Sequence, residues 1–327
     1  MYLFQLQPFK KLFFFKALKQ VQQIFTKNTQ GILSSNIYLA AHFSLRMNQG
    51  IIMQKSVLLL TLLLGFFSAN AQFYYNDVVD LNASNKMYVT LIKNNIREVS
   101  AASMQSDNTP TSGFVYSKTL KNNGTLVITH TELETGGISD DYDTYTNNLL
   151  VKSLDSADKV STVVEYNYDT EGRILQVKTQ TDDTTISTHS TELHQWFYTG
   201  TNPDSMLRIK DNRDTTFIHF KKDESQNITE ELWIKKGRII EHYYYYYNDK
   251  NQLTDIVRFN AKAQQMLPDF LFEYNETGVV SQLTQIPQGS SDYVIWRYIY
   301  NDRGLKTKDV LFDKEKQLLG TITYTYK

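Results

Sequence analysis

The chain of 327 residues contains no cysteine. Disulfide bonds, thiol nucleophiles and thiolate metal ligands are therefore excluded. A lipid anchor attached through a cysteine is excluded for the same reason. Stretches rich in proline, glycine and serine are also missing, so nothing in the composition divides residues 72–327, which we expect to form a single domain.

Acidic residues are absent from the first 71 positions, which carry seven lysines and arginines. Residues 72–327 hold the remaining 27 basic residues and all 35 acidic ones, which is a formal charge of −8. Binding of nucleic acid needs a basic surface that neutralises phosphates. The acidic body therefore argues against a nucleic acid partner.

The last part of this leader has the pattern of an export signal. It starts at Met53 with a lysine close behind, continues through the apolar run 57–67, and ends in Ala-Asn-Ala at 69–71. Small residues at that spacing predict cleavage before Gln72. The run is shorter than the roughly 20 apolar residues of a membrane-spanning helix. We predict a signal peptide over residues 53–71, with an uncleaved membrane anchor as the alternative.

Residues 1–52 precede this signal, although an export signal acts at a chain terminus. We expect a start codon assigned too far upstream, with Met53 as the true start. A real N-terminal extension is the alternative. Export predicts a mature chain in the periplasm, on the cell surface or outside the cell, without a stable membrane span.

A repeat of about 26 residues fills most of the mature chain. Each copy has an aromatic anchor two positions after another aromatic, then Asp or Asn, two polar residues, and Gly or Asn. The clearest anchors are Tyr168, Tyr247, Tyr274 and Tyr300, followed four positions later by Gly172, Asn251, Gly278 and Gly304. Successive anchors from Tyr198 to Tyr326 lie 22, 27, 27, 26 and 26 residues apart.

Each copy predicts a β-hairpin. The alternation before the anchor is a strand signal, and Asp or Asn followed by Gly or Asn supplies residues that tolerate positive φ in a turn. We expect positive φ at Gly172, Gly278 and Gly304. The predicted fold is all-β, a long antiparallel meander of repeated hairpins in a curled or twisted sheet. Helix is expected only as a turn within residues 261–266, ended by Pro268.

The segment YNYDTEGRIL at 166–175 resembles the YD (Rhs-type) repeat, in which Tyr-Asp is followed by Gly and an aliphatic residue. The resemblance covers roughly residues 110–327, with a longer period and with Asn-Asp replacing Tyr-Asp in several copies. Rhs proteins wrap such a sheet into a shell around a toxin. Here the repeats are too few for a shell and we expect no toxin segment, so the resemblance implies architecture rather than function. The ANAQ ending of the leader is similar to export signals of Bacteroidota proteins.

Five consecutive tyrosines occupy residues 243–247. Strand side chains alternate between two faces. The face that is aromatic in the other copies holds Tyr243, Tyr245 and Tyr247, which we expect to pack together. The opposite face holds Tyr244 and Tyr246, and also Phe197 and Phe217. One hypothesis is a ligand platform at Tyr244 and Tyr246 for a glycan or an envelope protein, and the other is a second packed layer.

Motifs for catalysis and for metal binding are missing. The histidines of the mature chain lack metal-ligand spacing and are expected on strand surfaces; they are His130, His189, His194, His219 and His242. Asp140, Asp141 and Asp143 offer oxygen ligands for calcium, with a solvated turn as the alternative. A nucleophile elbow, a phosphate loop and a dinucleotide fingerprint are all absent. We therefore expect neither a cofactor nor enzyme activity, although a glycosidase-type carboxylate pair is not recognisable from sequence.

The favoured prediction is an exported, non-catalytic β-repeat protein that serves as a binding or scaffold module of the cell envelope. An outer-membrane β-barrel is the first alternative, because the signal, the meander and the alternating segment TITYTYK fit it. Charges at Lys306, Lys308 and Asp309, on both faces of one strand, argue against a lipid-facing wall. A carbohydrate-active enzyme is the second alternative.

Overall fold

The computed structural model describes residues 72–133, 137–157, 159–260, 264–287 and 292–327. The predicted N-terminal extension and signal peptide lie outside these residues. Gln72–Lys327 form one compact unit. The helical turn predicted within 261–266 is wrong where it is described, because Gln265, Met266 and Pro268 belong to a strand.

The described residues form eighteen β-strands. Their bounds are β1 Glu98–Gln105, β2 Val115–Lys121, β3 Leu126–Glu132, β4 Ile138–Thr146, β5 Leu149–Ala157, β6 Val160–Tyr168, β7 Ile174–Asp183, β8 Thr188–Tyr198, β9 Pro203–Lys210, β10 Asp214–Lys222, β11 Ile228–Lys235, β12 Arg238–Tyr247, β13 Leu253–Asn260, β14 Gln265–Tyr274, β15 Val280–Gln285, β16 Val294–Tyr300, β17 Lys306–Phe312 and β18 Leu318–Tyr326. A π-helical segment, Tyr74–Asp80, continues into helix α1, Leu81–Lys93, and a 3-10 turn spans Asn122–Gly124.

Each strand pairs antiparallel with the strands before and after it in the chain, which confirms the predicted meander. The sheet is closed rather than open, however, because β1 also pairs with β18 along Val99↔Tyr326 to Gln105↔Gly320. The curled or twisted sheet predicted from the sequence is therefore not matched, because the sheet closes into a barrel. The repeat begins near residue 110, so the sequence pattern left out β1, the strand that closes the barrel. Closure removes both sheet edges.

The turns of the repeat all lie at one end of the barrel, here called the repeat end, and the opposite end is called the far end. Gly172, Gly278 and Gly304 have φ of 80°, 78° and 74°, as predicted. At the start of each of these turns an Asp or Asn side chain accepts backbone N–H groups. Asn301, for example, accepts them from Arg303 and Leu305 at 3.0 and 3.1 Å. The turn chemistry is thus local to each hairpin.

The anchor tyrosines tie each hairpin to an earlier part of the sheet. Their hydroxyl groups donate to main-chain carbonyls 18 to 21 residues upstream. The pairs are Tyr168 with Leu150, Tyr247 with Ile228, Tyr274 with Leu253, Tyr300 with Val280, and Tyr326 with Lys306. This recurring bond explains why tyrosine recurs at the anchor position, since phenylalanine lacks the donor.

The helical segment 74–93 enters the barrel with residues 74–80 and packs with α1 against turns of the repeat end, contrary to the expectation of almost no helix. One face of α1 is exposed. Tyr75 packs against Phe270 and Phe272 of β14, while Tyr88 stacks on Tyr145 of β4 with ring centroids 3.7 Å apart. The amphipathic pattern of α1 is short, which explains why the sequence did not predict this helix. Asn85, a polar residue on its buried face, accepts a hydrogen bond from the main chain of a strand and interrupts the apolar periodicity.

Among the described residues, no helix is both long enough and apolar enough to cross a membrane.

Candidate functional site

Strand β12 places its tyrosines on alternate faces, as predicted. Tyr243 and Tyr245 point into the barrel, and Tyr245 is only 2% exposed. On the outer face, Tyr246 is 50% exposed and Tyr244 is half-buried. The two faces of the barrel therefore have to be considered separately as places for function.

Inside the barrel, Glu231 holds the start of the helical segment. Its carboxylate accepts hydrogen bonds from the backbone N–H groups of Phe73 and Tyr74 at 3.0 and 3.2 Å. The indole of Trp233 and the hydroxyl of Tyr245 also donate to it, at 2.7 and 2.5 Å. Burial raises the pKa of Glu231 to about 7.

A second buried network joins the helical segment to β8 and β9. The His194 ring lies between two carboxylates, 2.5 Å from Asp77 and 2.7 Å from Glu192. Arg208 donates to the other oxygen of Glu192 at 2.7 Å. Burial alone would lower the pKa of His194, but the charges and hydrogen bonds of both carboxylates raise it to about 9. Burial opposes ionisation of Glu192 too, and its two cationic partners lower its pKa to about 2.

The first described residue belongs to a third buried network. The side-chain amide of Gln72 donates to Asp269 at 2.7 Å, and Arg258 donates to the same carboxylate at 3.0 Å. Asp269 points inward because a β-bulge leaves it without a partner between Phe270 and Pro268. Together the three networks fasten the helical segment inside the barrel.

The histidine expectation is correct on the outer face and wrong inside. His130, His189 and His242 bond to acidic residues on the outer face, as strand-surface residues. His194 is buried. Strand alternation places His194 on the inner face together with Glu192. Its other carboxylate partner, Asp77, lies 117 residues away in the chain. The sequence could have indicated these buried networks only through polar residues at positions where strand alternation predicts an inward side chain.

The aspartates at 140–143 lie in strand β4, so neither the calcium loop nor the solvated turn is correct. Asp140 pairs with His130 on the outer face, whereas Asp141 and Asp143 fall on the opposite side of the strand. Within the described part of the chain, no group of three His, Asp or Glu residues could hold a metal ion. We find no geometry for a cation at this place.

On the outer face, Tyr244 and Tyr246 have different surroundings. Tyr244 stacks on His242 with centroids 4.1 Å apart, and its hydroxyl lies 3.1 Å from the ring nitrogen Nδ1. His242 in turn bonds to Glu230 at 2.7 Å, and Lys221 bonds to the same carboxylate. Tyr244 is thus held in a polar row across three strands, whereas the ring of Tyr246 is open to solvent. The ligand platform at these two tyrosines stays a prediction.

Further exposed apolar side chains on this part of the outer face were not recognised in the sequence. Ile234 pairs with Ile239 and Trp233 pairs with Glu241, so a β-bulge leaves Ile240 without a partner. Ile239 and Ile240 are consequently 59% and 48% exposed. The strands β8 to β14 also expose Phe259 and Met266, together with Phe197 and Phe217, which the sequence alternation predicts on this face. The sequence indicates this exposure through two consecutive isoleucines directly after a Lys-Gly-Arg turn. A strict two-residue alternation would have placed one of the two isoleucines inside the barrel.

Comparisons with known proteins assign no family. No family model matches the chain, and no curated protein matches it. The resemblance to the YD repeat therefore remains a prediction from the sequence motif.

Several solved structures are similar to parts of this chain at low identity. A porin-like protein from Bacteroides uniformis is 7% identical with a TM-score of 0.35, and the match covers 71% of this chain and 98% of that one. A porin-like protein from Bacteroides vulgatus is 8% identical with a TM-score of 0.28 and the same coverage. The Tc holotoxin pore of Photorhabdus luminescens is 9% identical with a TM-score of 0.27, over 65% of this chain and 16% of that one. At these identities and scores the likenesses carry no functional inference.

Proposed function

We propose that this chain is an exported, non-catalytic β-barrel protein that serves as a binding or scaffold module of the cell envelope through its outer face. One observation carries the proposal. The inner face is occupied by the chain's own helical segment, whereas strands β8 to β14 leave aromatic and aliphatic side chains exposed on the outside. Exposed apolar groups on neighbouring strands are typical of an interaction surface.

The outer face is suited to water rather than to lipid. Charged side chains lie along it at several levels of the strands around the circumference. Examples are Glu165 with Lys178, Lys221 with Glu230, and Arg297 with Gln282. An Arg or Lys on the lipid face of a membrane barrel costs about 2–4 kcal/mol at the bilayer midplane. The closed sheet favours the outer-membrane alternative, but this distribution of charge favours a barrel surrounded by water.

The proposed location is the periplasm, the cell surface or the medium, and the proposed partner is a glycan or a protein of the envelope. The export signal predicted at 53–71 supports this location, and the acidic charge of residues 72–327 argues against nucleic acid. Tyr246, with its exposed ring, is the first candidate contact. Aromatic rings supply much of the contact area at binding surfaces.

Cell fractionation with capture of partners tests the proposal. Protein expressed from the full chain should appear in a detergent-free envelope or medium fraction, begin at Gln72 by intact mass, and retain an envelope glycan or protein. The variant Tyr246→Ala should weaken that binding more than Leu175→Ala, which removes a similarly exposed side chain near the repeat end. Extraction only by detergent together with heat-modifiable gel migration would instead establish the outer-membrane barrel.

A screen of the same protein against polysaccharides and esters tests the enzyme alternative. We expect no turnover, because Glu192, Glu231 and Asp269 are buried and bonded to groups inside the barrel. Turnover that Glu231→Gln abolishes while the fold persists would contradict the proposal.

A further inference from the structure

The far end of the barrel carries the largest exposure of aliphatic side chains. Residues 235–240, here called the isoleucine tip, join β11 to β12 and present Ile239 and Ile240 at the bulge described above. Ile234 lies beside Ile239 on one side and beside Phe217 of β10 on the other. An apolar row therefore runs across three strands next to the tip.

The next hairpin extends this surface. Phe259 of β13 and Met266 of β14 are partners in register, and both are exposed. Solvent-exposed apolar groups that continue from one hairpin to the next are rare on a monomer unless they meet a partner. Exposed aliphatic side chains also lie near the repeat end, where Val279 precedes β15, Ile299 is on the neighbouring β16, and Leu175 is on the distant β7.

Positive charge surrounds the apolar residues. Lys236 and Arg238 of the isoleucine tip are exposed, as is Arg213 in the adjacent turn between β9 and β10. Within the described residues, none of these three cations forms an ion pair, whereas the neighbouring Lys235 is paired with Asp214 at 2.6 Å. Residues 72–327 carry a formal charge of −8 as a whole, so the isoleucine tip, with its unpaired cations, is basic on a protein that is otherwise acidic.

We propose that the isoleucine tip docks the barrel on the surface of an anionic lipid bilayer. Ile239 and Ile240 would enter the boundary between headgroups and acyl chains, while Lys236, Arg238 and Arg213 would meet lipid phosphates. Aliphatic residues flanked by unpaired cations are the combination that binds anionic membrane surfaces. The inference goes beyond the proposed function and rests on it, since it adds a lipid surface to the glycan or envelope protein proposed as partner of the outer face.

Charge also distinguishes this occupant from a second copy of the chain. A two-fold contact through the isoleucine tip would place Lys236 and Arg238 of one copy against the same residues of the other, because such an interface uses one patch twice. Like charges at that contact would repel. An anionic bilayer offers the complementary charge together with an apolar layer.

Sedimentation with vesicles tests the inference. Protein expressed from the full chain is mixed with vesicles of phosphatidylcholine alone, or of equal parts phosphatidylcholine and phosphatidylglycerol. We expect binding to the anionic vesicles only. Raising the salt from about 0.1 M to about 1 M should weaken it, because the screening length falls from about 10 Å to about 3 Å.

Two double variants and a matched control locate the contact. Lys236→Glu with Arg238→Glu should reduce partitioning at least about tenfold, since each cation near an anionic surface contributes about fivefold. Ile239→Ser with Ile240→Ser should reduce it to a similar extent at high and low salt. The control, Leu175→Ser with Ile299→Ser, changes two outer residues that are 42% and 49% exposed and should bind as the parent does. Circular dichroism confirms that each variant is folded.

Three results would overturn the inference. The first is a parent protein that does not bind anionic vesicles, or double variants that bind them as the parent does. If such a parent still captures an envelope glycan or protein, the proposed function stands and only the lipid partner is wrong, whereas a parent that captures nothing refutes both. The second is an acidic protein partner lost with the tip variants in the absence of lipid. The third is a concentration-dependent dimer that Ile239→Ser with Ile240→Ser abolishes.

Discussion

Two histidines show what separates the inner face of the barrel from the outer one. His194 and His130 each lie between two carboxylates, one at each ring nitrogen. The His194 side chain is 6% exposed inside the barrel, and that of His130 is 32% exposed outside. Attraction between charges grows as water is removed, but so does the cost of an unpaired charge. The same arrangement of a histidine between two carboxylates therefore stabilises the fold on the inner face and contributes little to stability on the outer face.

Neighbouring glutamates on β11 repeat the comparison. Burial raises the pKa of Glu231 to about 7 inside the barrel. Partial burial also acts on Glu230 outside, but its bonds to Lys221 and His242 outweigh it and lower its pKa. The inward Glu231 is thus committed to the helical segment, whereas the outward Glu230 bonds to side chains at the surface.

The largest expected effect comes from removing the inner histidine. His194→Gln should destabilise the protein by about 3–5 kcal/mol near pH 6, because Asp77 and Glu192 lose the cation between them while buried. His130→Gln is the matched change outside and should cost at most about 1 kcal/mol. Urea unfolding of both variants measures the difference, and equal losses would remove the distinction between the faces.

The pH dependence of stability sharpens the same comparison. The folded-state pKa of His194, about 9, lies above its unfolded value of about 6.5, so its contribution is complete below pH 6.5. We expect about 3 kcal/mol to be lost as pH rises from 6.5 through 9, at about 1.4 kcal/mol per pKa unit. The difference between the parent and His194→Gln should shrink over that window. A constant difference would mean that the ring is neutral in the fold.

Tyr245 and Tyr246 allow the faces to be compared by adjacent residues. Tyr245→Ala removes a buried ring that packs edge-on against Tyr74 and a hydroxyl bonded to Glu231. Loss of a core aromatic costs about 3–5 kcal/mol, and the unsatisfied carboxylate places this variant at the upper part of that range. Tyr246→Ala should cost far less. If thermal melting shows that Tyr246→Ala is the less stable variant, the assignment of the two tyrosines to the inner and outer faces is wrong.

Two glycines in turns at the repeat end differ in backbone conformation. Gly304 has φ of 74°, and Gly304→Val should destabilise by about 1–3 kcal/mol because a β-branched side chain is strained there. Gly200 lies in the turn between β8 and β9, does not have a positive φ, and has open space where a Cβ would lie. Gly200→Val should therefore change the melting temperature much less. Equal shifts would place the strain elsewhere.

The smallest change in stability is expected for the outer tyrosines. Tyr244→Ala with Tyr246→Ala should cost less than about 1 kcal/mol beyond the loss of the Tyr244–His242 contact, as is usual for surface substitutions. If the platform hypothesis is correct, this variant loses capture of a glycan or envelope protein while its melting curve hardly moves. Unchanged capture would leave the pair without a recognition role.

The sequence by itself determined the features that depend on neighbouring residues. Alternation placed Tyr245 and Tyr246 on opposite faces, and the Asp/Asn-to-Gly spacing located the turns at Gly172, Gly278 and Gly304. Both follow from local geometry, since a strand has a period of two and only a few residues tolerate positive φ.

Tertiary structure decided what depends on residues far apart in the chain. Closure required β1 to meet β18, and the inner networks join Asp77 to His194 and Gln72 to Asp269 across 117 and 197 residues. The exposed Ile240 depends on a bulge in the register of two strands. Local patterns contain no information on these distances, because a buried charge or an extra strand residue is stable only when its distant partner is in place.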